Sequence, residues 1–239
     1  GGEYGPAWHR AGLKEHRHRV YEDFAAVART LSERGVTTPD RLAVHGGSNG
    51  GLLVGNMLTR HPELVGAVLC EVPLLDMSRY THLLAGASWK AEYGDPDTDD
   101  WDYIRTFSPY HLLEESADYP ATLVTTSTRD DRVHPGHARK FTAALETIGA
   151  DVRYWENTEG GHGGAADNAQ QAWMNALIWT FLHHRSLIGA AAPALVTPPL
   201  PRASPGRQLP HPAPRPAGTA PATAGPPPRP PVRPAAHRR

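Results

Sequence analysis

The chain has 239 residues, and its 24 Lys and Arg side chains nearly balance 25 Asp and Glu, giving a formal net charge of −1. This length suits one globular domain with an appendage, and the near-neutral charge excludes a general electrostatic attraction to nucleic acid or anionic membranes. The single cysteine, Cys70, excludes an internal disulfide framework and a cysteine-rich zinc site, and no segment approaches the roughly 18 apolar residues that span a bilayer.

The chain opens on Gly1-Gly2-Glu3-Tyr4-Gly5, with neither an initiator Met nor a basic and then apolar signal peptide. We therefore expect a fragment or a processed product of a longer protein. The lack of a visible targeting signal favours a cytoplasmic location.

Residues 1–190 alternate the spacing of amphipathic helices with short apolar runs. In chain order the predicted elements are helix Val20–Arg34, strand Arg41–His45, helix Gly50–Arg60, strand Gly66–Val72, strand Tyr119–Thr126, helix His137–Ile148, strand Val152–Trp155 and helix Asn168–His184. The first helix repeats apolar residues at three- and four-residue spacing, which predicts that they share its core-facing side: Val20, Tyr21, Phe24, Val27, Ala28 and Leu31. The alternation predicts an α/β fold, with a mostly parallel sheet covered by helices on both faces.

The last 49 residues differ in composition from the rest of the chain. Residues 191–239 hold 16 of the 24 prolines, seven arginines and no acidic residue, a net charge of +7, whereas residues 1–190 carry −8. Such a composition offers little to bury and predicts disorder. We therefore divide the chain into a partial α/β domain, 1–189, and a disordered Pro/Ala/Arg-rich tail, 190–239. The alternative is that the tail is a Pro-rich ligand for an SH3-like partner, or a basic arm for an acidic partner.

The most informative segment runs from Gly46 to Gly51 and contains Ser48, between a predicted strand and a predicted helix. This is the context of a G-x-S-x-G nucleophile elbow, a strained turn that projects the serine hydroxyl above the sheet. Side chains at Gly46 and Gly50 are expected to collide with the turn. The helix would direct its first amides, including that of Asn49, at the same space. The alternative interpretation is a glycine-rich surface turn.

A serine hydroxyl becomes a good nucleophile only when a base takes its proton, and the base needs an acid that fixes its tautomer. Two later loops carry residues of these types. Asp130 and Asp131 follow the third predicted strand, and His162 follows the fourth, the chain order of α/β-hydrolases. The spacing does not separate the two aspartates. Two glycines on each side of His162 predict a closely approached loop, and the alternative is a surface histidine.

The remaining titratable candidates receive weaker predictions. We expect His45, His134 and His137 to lie near the site in supporting or surface positions, and Cys70 to be a buried strand residue rather than a nucleophile. The sequence indicates no metal and no organic cofactor.

Several motifs stand in order and at compatible spacing: Gly1–Gly5 with Trp8 and His9, Gly46–Leu53, Trp89 with Glu92-Tyr93-Gly94, Ser108–His111, Asp130–Val133 and Gly161–Gly163. Together they resemble the prolyl oligopeptidase family of serine peptidases, and the resemblance runs from Gly1 to about Leu187.

The resemblance implies an α/β-hydrolase catalytic domain that cleaves short peptides after proline. It implies Ser48 as nucleophile, His162 as general base and then acid, Asp130 as the orienting carboxylate, and the Asn49 amide as one oxyanion donor. The first of the two aspartates is favoured by the family pattern alone.

Substrate recognition is implied by the same resemblance. Trp89 matches the tryptophan on which family members stack the proline ring, and an indole gives a rigid apolar wall for it. Tyr93, Val133 and Leu74 match the rest of that pocket. Arg132 matches the arginine that binds the preceding peptide carbonyl through a charge-assisted hydrogen bond. Short peptides are therefore the expected partners, with neither nucleic acid nor membrane.

The chain also departs from the family pattern. The β-propeller, the first sheet strands and a tyrosine oxyanion donor that precede this region in the family lie outside the sequence. Losing one oxyanion donor costs about 3 kcal/mol of transition-state stabilisation, so we expect weak or no activity. Losing the first strands exposes a sheet edge and part of the core, so we also expect poor solubility. Two alternatives stay open: an acylaminoacyl-peptidase, dipeptidyl-peptidase or esterase of the same fold, and a non-catalytic remnant whose tail recruits a partner.

Overall fold

Four parallel strands form the centre of the structure, a computed structural model that describes residues 2–187. The strands are β1 (Ala43–Gly47), β2 (Ala67–Glu71), β3 (Ala121–Ser127) and β4 (Val152–Asn157), and they pair in the order β1-β2-β3-β4. All three pairings are parallel, with Ala43 opposite Ala67, Ala67 opposite Ala121, and Thr122 opposite Val152. The predicted domain boundary at residue 189 and the predicted tail, 190–239, lie outside the described residues.

Seven α-helices surround this sheet within residues 2–187. They are α1 (Pro6–Arg10), α2 (His18–Glu33), α3 (Asn49–Arg60), α4 (Lys90–Tyr93), α5 (Trp101–Ile104), α6 (Gly136–Thr147) and α7 (Asn168–Leu182), followed by a π-helical turn over His183–Leu187. In this part of the chain, none of the helices has the length and apolar character needed to cross a membrane.

The strand order explains which face each helix covers. Every crossover advances in the same direction across the sheet, so the right-handed rule places the crossover helices α3 and α6 on one face. There Val44, Val68 and Val124 pack in one core cluster with residues of both helices and of α2. On the other face, Leu69 and Leu123 pack against Ile178 and Phe181 of α7. The prediction of a parallel sheet covered on both faces is confirmed.

The inward face of α2 differs from the prediction at one position. Tyr21, Ala25 and Ala28 are buried at spacings of four and three residues, whereas the side chain of Val27 is 58 % exposed. The predicted burial of Val27 is wrong. Successive residues of a helix point about 100° apart around its axis, so Val27 does not share the direction of its neighbour Ala28, which faces the core. The buried stripe instead uses the small Ala25, which brings α2 close to its neighbours.

A third cluster of buried side chains lies beneath the connection from β2 to β3. This site-side cluster contains Tyr21, Leu52, Leu74, Met77, Tyr80, Tyr93, Ile104, Phe107 and Val133, with Trp89 packed against it. The connection holds α4 and α5, which no apolar spacing predicted because each has only four residues. It places aromatic side chains beside the carboxyl end of β1.

Candidate active site

Ser48 occupies the turn between β1 and α3. Its backbone has φ of 58°, in the left-handed region that a serine rarely adopts. The Ser48 N–H donates to the Glu71 carbonyl across the top of the sheet at 2.9 Å, which holds the strained turn in place. A Cβ at Gly46 would overlap the Gly50 carbonyl. Only glycine fits at position 46, because the first turn of α3 folds back onto it.

The predicted collision at Gly50 is wrong. A Cβ at Gly50 would meet no atom within 4 Å, whereas a Cβ at Gly51 would lie 2.7 Å from the Pro73 side chain. Gly50 already lies in the first turn of α3, so its side-chain direction is outward. The steric requirement after Ser48 therefore falls one residue later than predicted.

Asp130 and His162 form a hydrogen-bonded pair at the carboxyl ends of β3 and β4. His162 Nδ1 lies 2.8 Å from one Asp130 carboxylate oxygen and 3.0 Å from the other. The Asp130 side chain is fully buried, and its Oδ1 also accepts the backbone N–H groups of Arg132 and Val133, both at 2.9 Å. These amides fix the carboxylate, which in turn fixes the imidazole through its Nδ1.

The structure separates the two aspartates that the spacing left equivalent. Asp130 points inward onto His162, whereas Asp131 is exposed. Within residues 2–187 the hydroxyl of Ser48 makes no hydrogen bond, either to His162 or to any other side chain. Asp130 and His162 are thus hydrogen-bonded to each other, and neither is hydrogen-bonded to Ser48.

The loop that carries His162 is fastened at both ends. Asn157, the last residue of β4, donates to the Gly164 carbonyl at 2.6 Å and to Gln170 Oε1 of α7 at 2.8 Å. Gln170 Nε2 donates back to Glu159 Oε2 at 2.7 Å. We call Asn157, Glu159 and Gln170 the histidine-loop clasp. It ties the loop to both β4 and α7, so the base is held by two separate elements.

A cavity of about 250 Å³ opens beside Ser48. Its lining residues come from five segments that the sheet and the site-side cluster bring together. They are Ser48, Asn49, Leu74, Trp89, Glu92, Tyr93, Arg132 and Val133. Leu74, Tyr93 and Val133 are buried, Trp89 is half-buried, and Arg132 is exposed. Every residue predicted for substrate binding lies on this cavity, so the structure does bring them together.

Arg17 and Glu92 lie next to the cavity, but the sequence did not predict a role for them there. The Arg17 guanidinium donates to Asn49 Oδ1 at 2.7 Å and pairs with the Glu92 carboxylate, and the Tyr93 hydroxyl also donates to Asn49 Oδ1 at 2.7 Å. Arg17 lies in a stretch rich in Lys, Arg and His, a pattern typical of a solvated surface. No sequence signal marked it as buried.

The three histidines predicted near the site and the cysteine are explained by hydrogen bonds, an ion pair or burial. His45 pairs with Glu71 on the sheet face toward α7, and His134 Nδ1 accepts the Gly136 N–H at 2.9 Å. His137 is buried, and its Nδ1 accepts the Asp76 N–H at 3.0 Å. Cys70 is buried within β2, and burial raises the pKa of its thiol.

Comparison with known proteins shows to which family the chain belongs. The model of the prolyl oligopeptidase family matches residues 1–186. Peptidase y4nA of Sinorhizobium fredii is 48 % identical over 186 residues, covering 77 % of this chain and 26 % of the relative. Prolyl endopeptidase of Elizabethkingia miricola is 39 % identical over 186 residues, covering 76 % of this chain and 26 % of that enzyme. The chain therefore spans about a quarter of the length of these curated relatives.

Solved structures give the same assignment. A post-proline cleaving enzyme from Rickettsia typhi superposes with a TM-score of 0.77 at 40 % identity, covering 78 % of this chain and 27 % of that one. Residues 1–186, which the family model matches, include the four strands, the Ser48 turn, Asp130 and His162. The chain has the α/β-hydrolase fold of the prolyl oligopeptidase catalytic domain, and it belongs to the prolyl oligopeptidase family of serine peptidases.

Proposed function

We propose that this chain carries the catalytic centre of a serine peptidase that cleaves short peptides on the carboxyl side of proline. The observation that carries the proposal is the Asp130–His162 pair, fixed by two backbone amides at the same edge of the sheet as the strained Ser48 turn. Family membership supports the same reaction class.

The proposed chemistry follows from these groups. Ser48 Oγ attacks the scissile carbonyl while His162 Nε2 takes its proton, and Asp130 keeps the second ring proton on Nδ1. The Asn49 N–H, one of the first-turn amides that α3 leaves without a helical acceptor, stabilises the oxyanion. His162 then returns the proton to the leaving amine, and water repeats the sequence on the acyl-enzyme.

The reaction requires His162 Nε2 to reach Ser48 Oγ. Catalytic hydrogen bonds are often long or unformed without substrate and tighten in the reacting complex. The proposal therefore requires that His162 Nε2 come within hydrogen-bond distance of Ser48 Oγ when peptide is bound, while Asp130 stays held by its two backbone amides.

The cavity beside Ser48 supports proline as the residue before the cleaved bond. Trp89, Tyr93 and Val133 offer flat, apolar surfaces to a rigid ring. The guanidinium of Arg132 has no hydrogen-bond or ion-pair partner within residues 2–187. It is free to donate to the carbonyl of the residue that precedes proline, with the strength of a charge-assisted hydrogen bond.

The test is covalent labelling by a fluorophosphonate probe, which needs an activated serine but no particular peptide. We expect labelling of the wild-type chain and none of Ser48→Ala. Asp130→Asn should lower the labelling rate by roughly 10³-fold or more because the imidazole loses its tautomer control. Asp131→Asn is the matched control and should label at the wild-type rate. Labelling that persists in Ser48→Ala would refute the proposal.

Substrate class is tested by a panel of Gly-Pro chromogenic peptides, acyl-amino acid amides and p-nitrophenyl esters. We expect preference for the proline peptides, and Trp89→Ala should raise KM for them far more than for esters, since the ester does not use the indole wall. Faster turnover of acyl-amino acid amides would instead favour the alternative peptidases of this fold.

A further inference from the structure

Arg17 is a buried cation beside the nucleophile turn. It immediately precedes α2, and its side chain is only 6 % exposed. Burying a guanidinium is costly unless it is paired and hydrogen-bonded. Its partners therefore show what keeps it there.

Three contacts of the Arg17 side chain lead to the site, while its Nε is buried without a hydrogen-bond partner within residues 2–187. One terminal nitrogen pairs with the Glu92 carboxylate, and the other donates to Asn49 Oδ1 at 2.7 Å. The guanidinium carbon lies 4.9 Å from the centre of the Tyr93 ring, within the range of a cation–π contact. Glu92 and Tyr93 both line the cavity next to Ser48.

The partners of Arg17 are also joined to each other. The Tyr93 hydroxyl donates to the same Asn49 oxygen at 2.7 Å, so this amide oxygen accepts two donors from two different elements. Asn49 directly follows Ser48 and begins α3. A closed set of hydrogen bonds therefore connects the start of α3 to α4, where Glu92 and Tyr93 lie.

We propose that Arg17 is a positioning residue that fixes the Asn49 amide and the Tyr93 wall of the cavity relative to each other. The inference rests on the proposed function, in which Asn49 donates to the oxyanion and Tyr93 bounds the proline pocket. Arg17 touches neither the substrate nor Ser48. Its planar, forked donors suit this task, because one guanidinium can bind the carboxylate and the amide oxygen at the same time.

A positioning role for Arg17 predicts a change in labelling that a purely structural role does not predict. Loss of Arg17 disturbs the oxyanion amide and the pocket wall together. A probe that needs only an activated serine senses the first disturbance, whereas a probe that must also seat a proline ring senses both. The ratio of the two labelling rates should therefore change, and a general loss of folded protein would leave this ratio constant.

The experiment uses the full chain with Arg17→Met, Arg17→Lys and Arg19→Met. Arg19 is an exposed arginine two residues away and serves as the matched control. The labelling rates of a fluorophosphonate and of a Gly-Pro diphenyl phosphonate are measured for each variant.

We expect Arg17→Met to lower the labelling rate of the Gly-Pro probe by about 10-fold to 100-fold, the range for hydrogen bonds to a charged group, and the fluorophosphonate rate by less. Arg17→Lys should recover part of the loss, and Arg19→Met should match the wild type.

Hydrogen exchange of the peptides that contain Asn49 and Tyr93 gives a second readout that does not depend on activity. Arg17→Met should speed exchange in both peptides, and Arg19→Met in neither. If Arg17→Met leaves the probe ratio and both exchange rates unchanged, the proposal is overturned; if it does not fold, the same comparison is made with Arg17→Lys. Absence of labelling in the wild-type chain would refute the proposed function, and the exchange result would then decide alone whether Arg17 positions these residues.

Discussion

At the scale of single residues, the geometry around Ser48 depends on what fits beside one backbone carbonyl. Ser48 adopts a positive φ, and the Gly50 carbonyl lies where a Cβ of residue 46 would be. A strained conformation of this kind persists only where its surroundings hold it. The hydrogen bond from the Ser48 N–H to Glu71 and the close approach of α3 to Gly46 together supply that constraint.

We predict opposite outcomes for alanine at the two glycines that flank Ser48. Gly46→Ala should destabilise the chain by about 1 to 3 kcal/mol, the cost of forcing an extra carbon into a packed site. Gly50→Ala should be neutral or stabilising by up to about 1 kcal/mol, because the space is empty and alanine favours helix. Urea denaturation of both variants checks this. Equal losses of stability in the two variants would contradict this prediction.

The residue scale is also where sequence-based prediction reached its limit. Ser48 and His162 could be found because glycines mark the turns around them. Asp130 and Asp131 could not be separated, since only the three-dimensional path of the loop decides which carboxylate meets two backbone amides. Arg17 gave no signal at all, because its burial results from α4 folding over it, a contact between positions 75 residues apart.

At the scale of elements, the candidate base is held by a connection rather than by a strand or helix. The histidine-loop clasp ties the segment between β4 and α7 at both ends, and Ser127 of β3 adds a hydrogen bond to the Gly164 carbonyl at 3.2 Å. Loops fixed in this way retain the geometry of a site while keeping some freedom to move.

We predict that Asn157→Ala loosens this loop. Asn157 is buried, and its side chain makes three hydrogen bonds, to the Gly164 carbonyl, to Gln170 Oε1 and from the Glu159 N–H. Its loss should therefore cost about 1 to 3 kcal/mol of stability and should speed hydrogen exchange around His162. Fluorophosphonate labelling should slow as the base loses its position. Gln171→Ala removes an exposed Gln171–Asn175 hydrogen bond on α7 and is the control, with a change within about 0.5 kcal/mol. Unaltered exchange in Asn157→Ala would contradict the role of the clasp.

The long elements were predictable and the short ones were not. β1 to β4 and the helices α2, α3, α6 and α7 were found within a few residues, because each is long enough to display its period. The connection between β2 and β3 consists of short helical turns whose aromatic side chains pack by tertiary contact. Three residues of the proposed proline pocket, Leu74, Trp89 and Tyr93, come from this connection. They were therefore identified by family resemblance and not by their spacing.

At the scale of the whole molecule, buried ionisable groups make stability depend on pH. Burial beneath the site lowers the pKa of His137 from 6.5 to about 4. Between these values the unfolded chain binds a proton that the folded chain does not bind. The stabilisation is therefore complete above pH 6.5 and is lost as the pH falls toward 4.

We predict that the free energy of unfolding falls by about 3 kcal/mol or less over this acid range because of His137. His137→Asn, which keeps an acceptor for the Asp76 N–H, should flatten the pH dependence between 6.5 and 4. His16→Asn replaces an exposed histidine and should leave the curve unchanged. Urea denaturation at a series of pH values measures both. An identical slope in the wild type and in His137→Asn would contradict this account.

The separate supports of Ser48 and His162 have a consequence for how such a molecule would fail. The serine rests on β1 and α3, whereas the imidazole depends on β4 and on the seating of Ile178 and Phe181 of α7 against the opposite face of the sheet. Warming or mild denaturant that detaches α7 from the sheet would disturb the Asp130–His162 pair while most of the fold is still intact. Under the proposed function, loss of activity should then precede melting, and substitutions in α7, far from any bound peptide, should change the turnover rate.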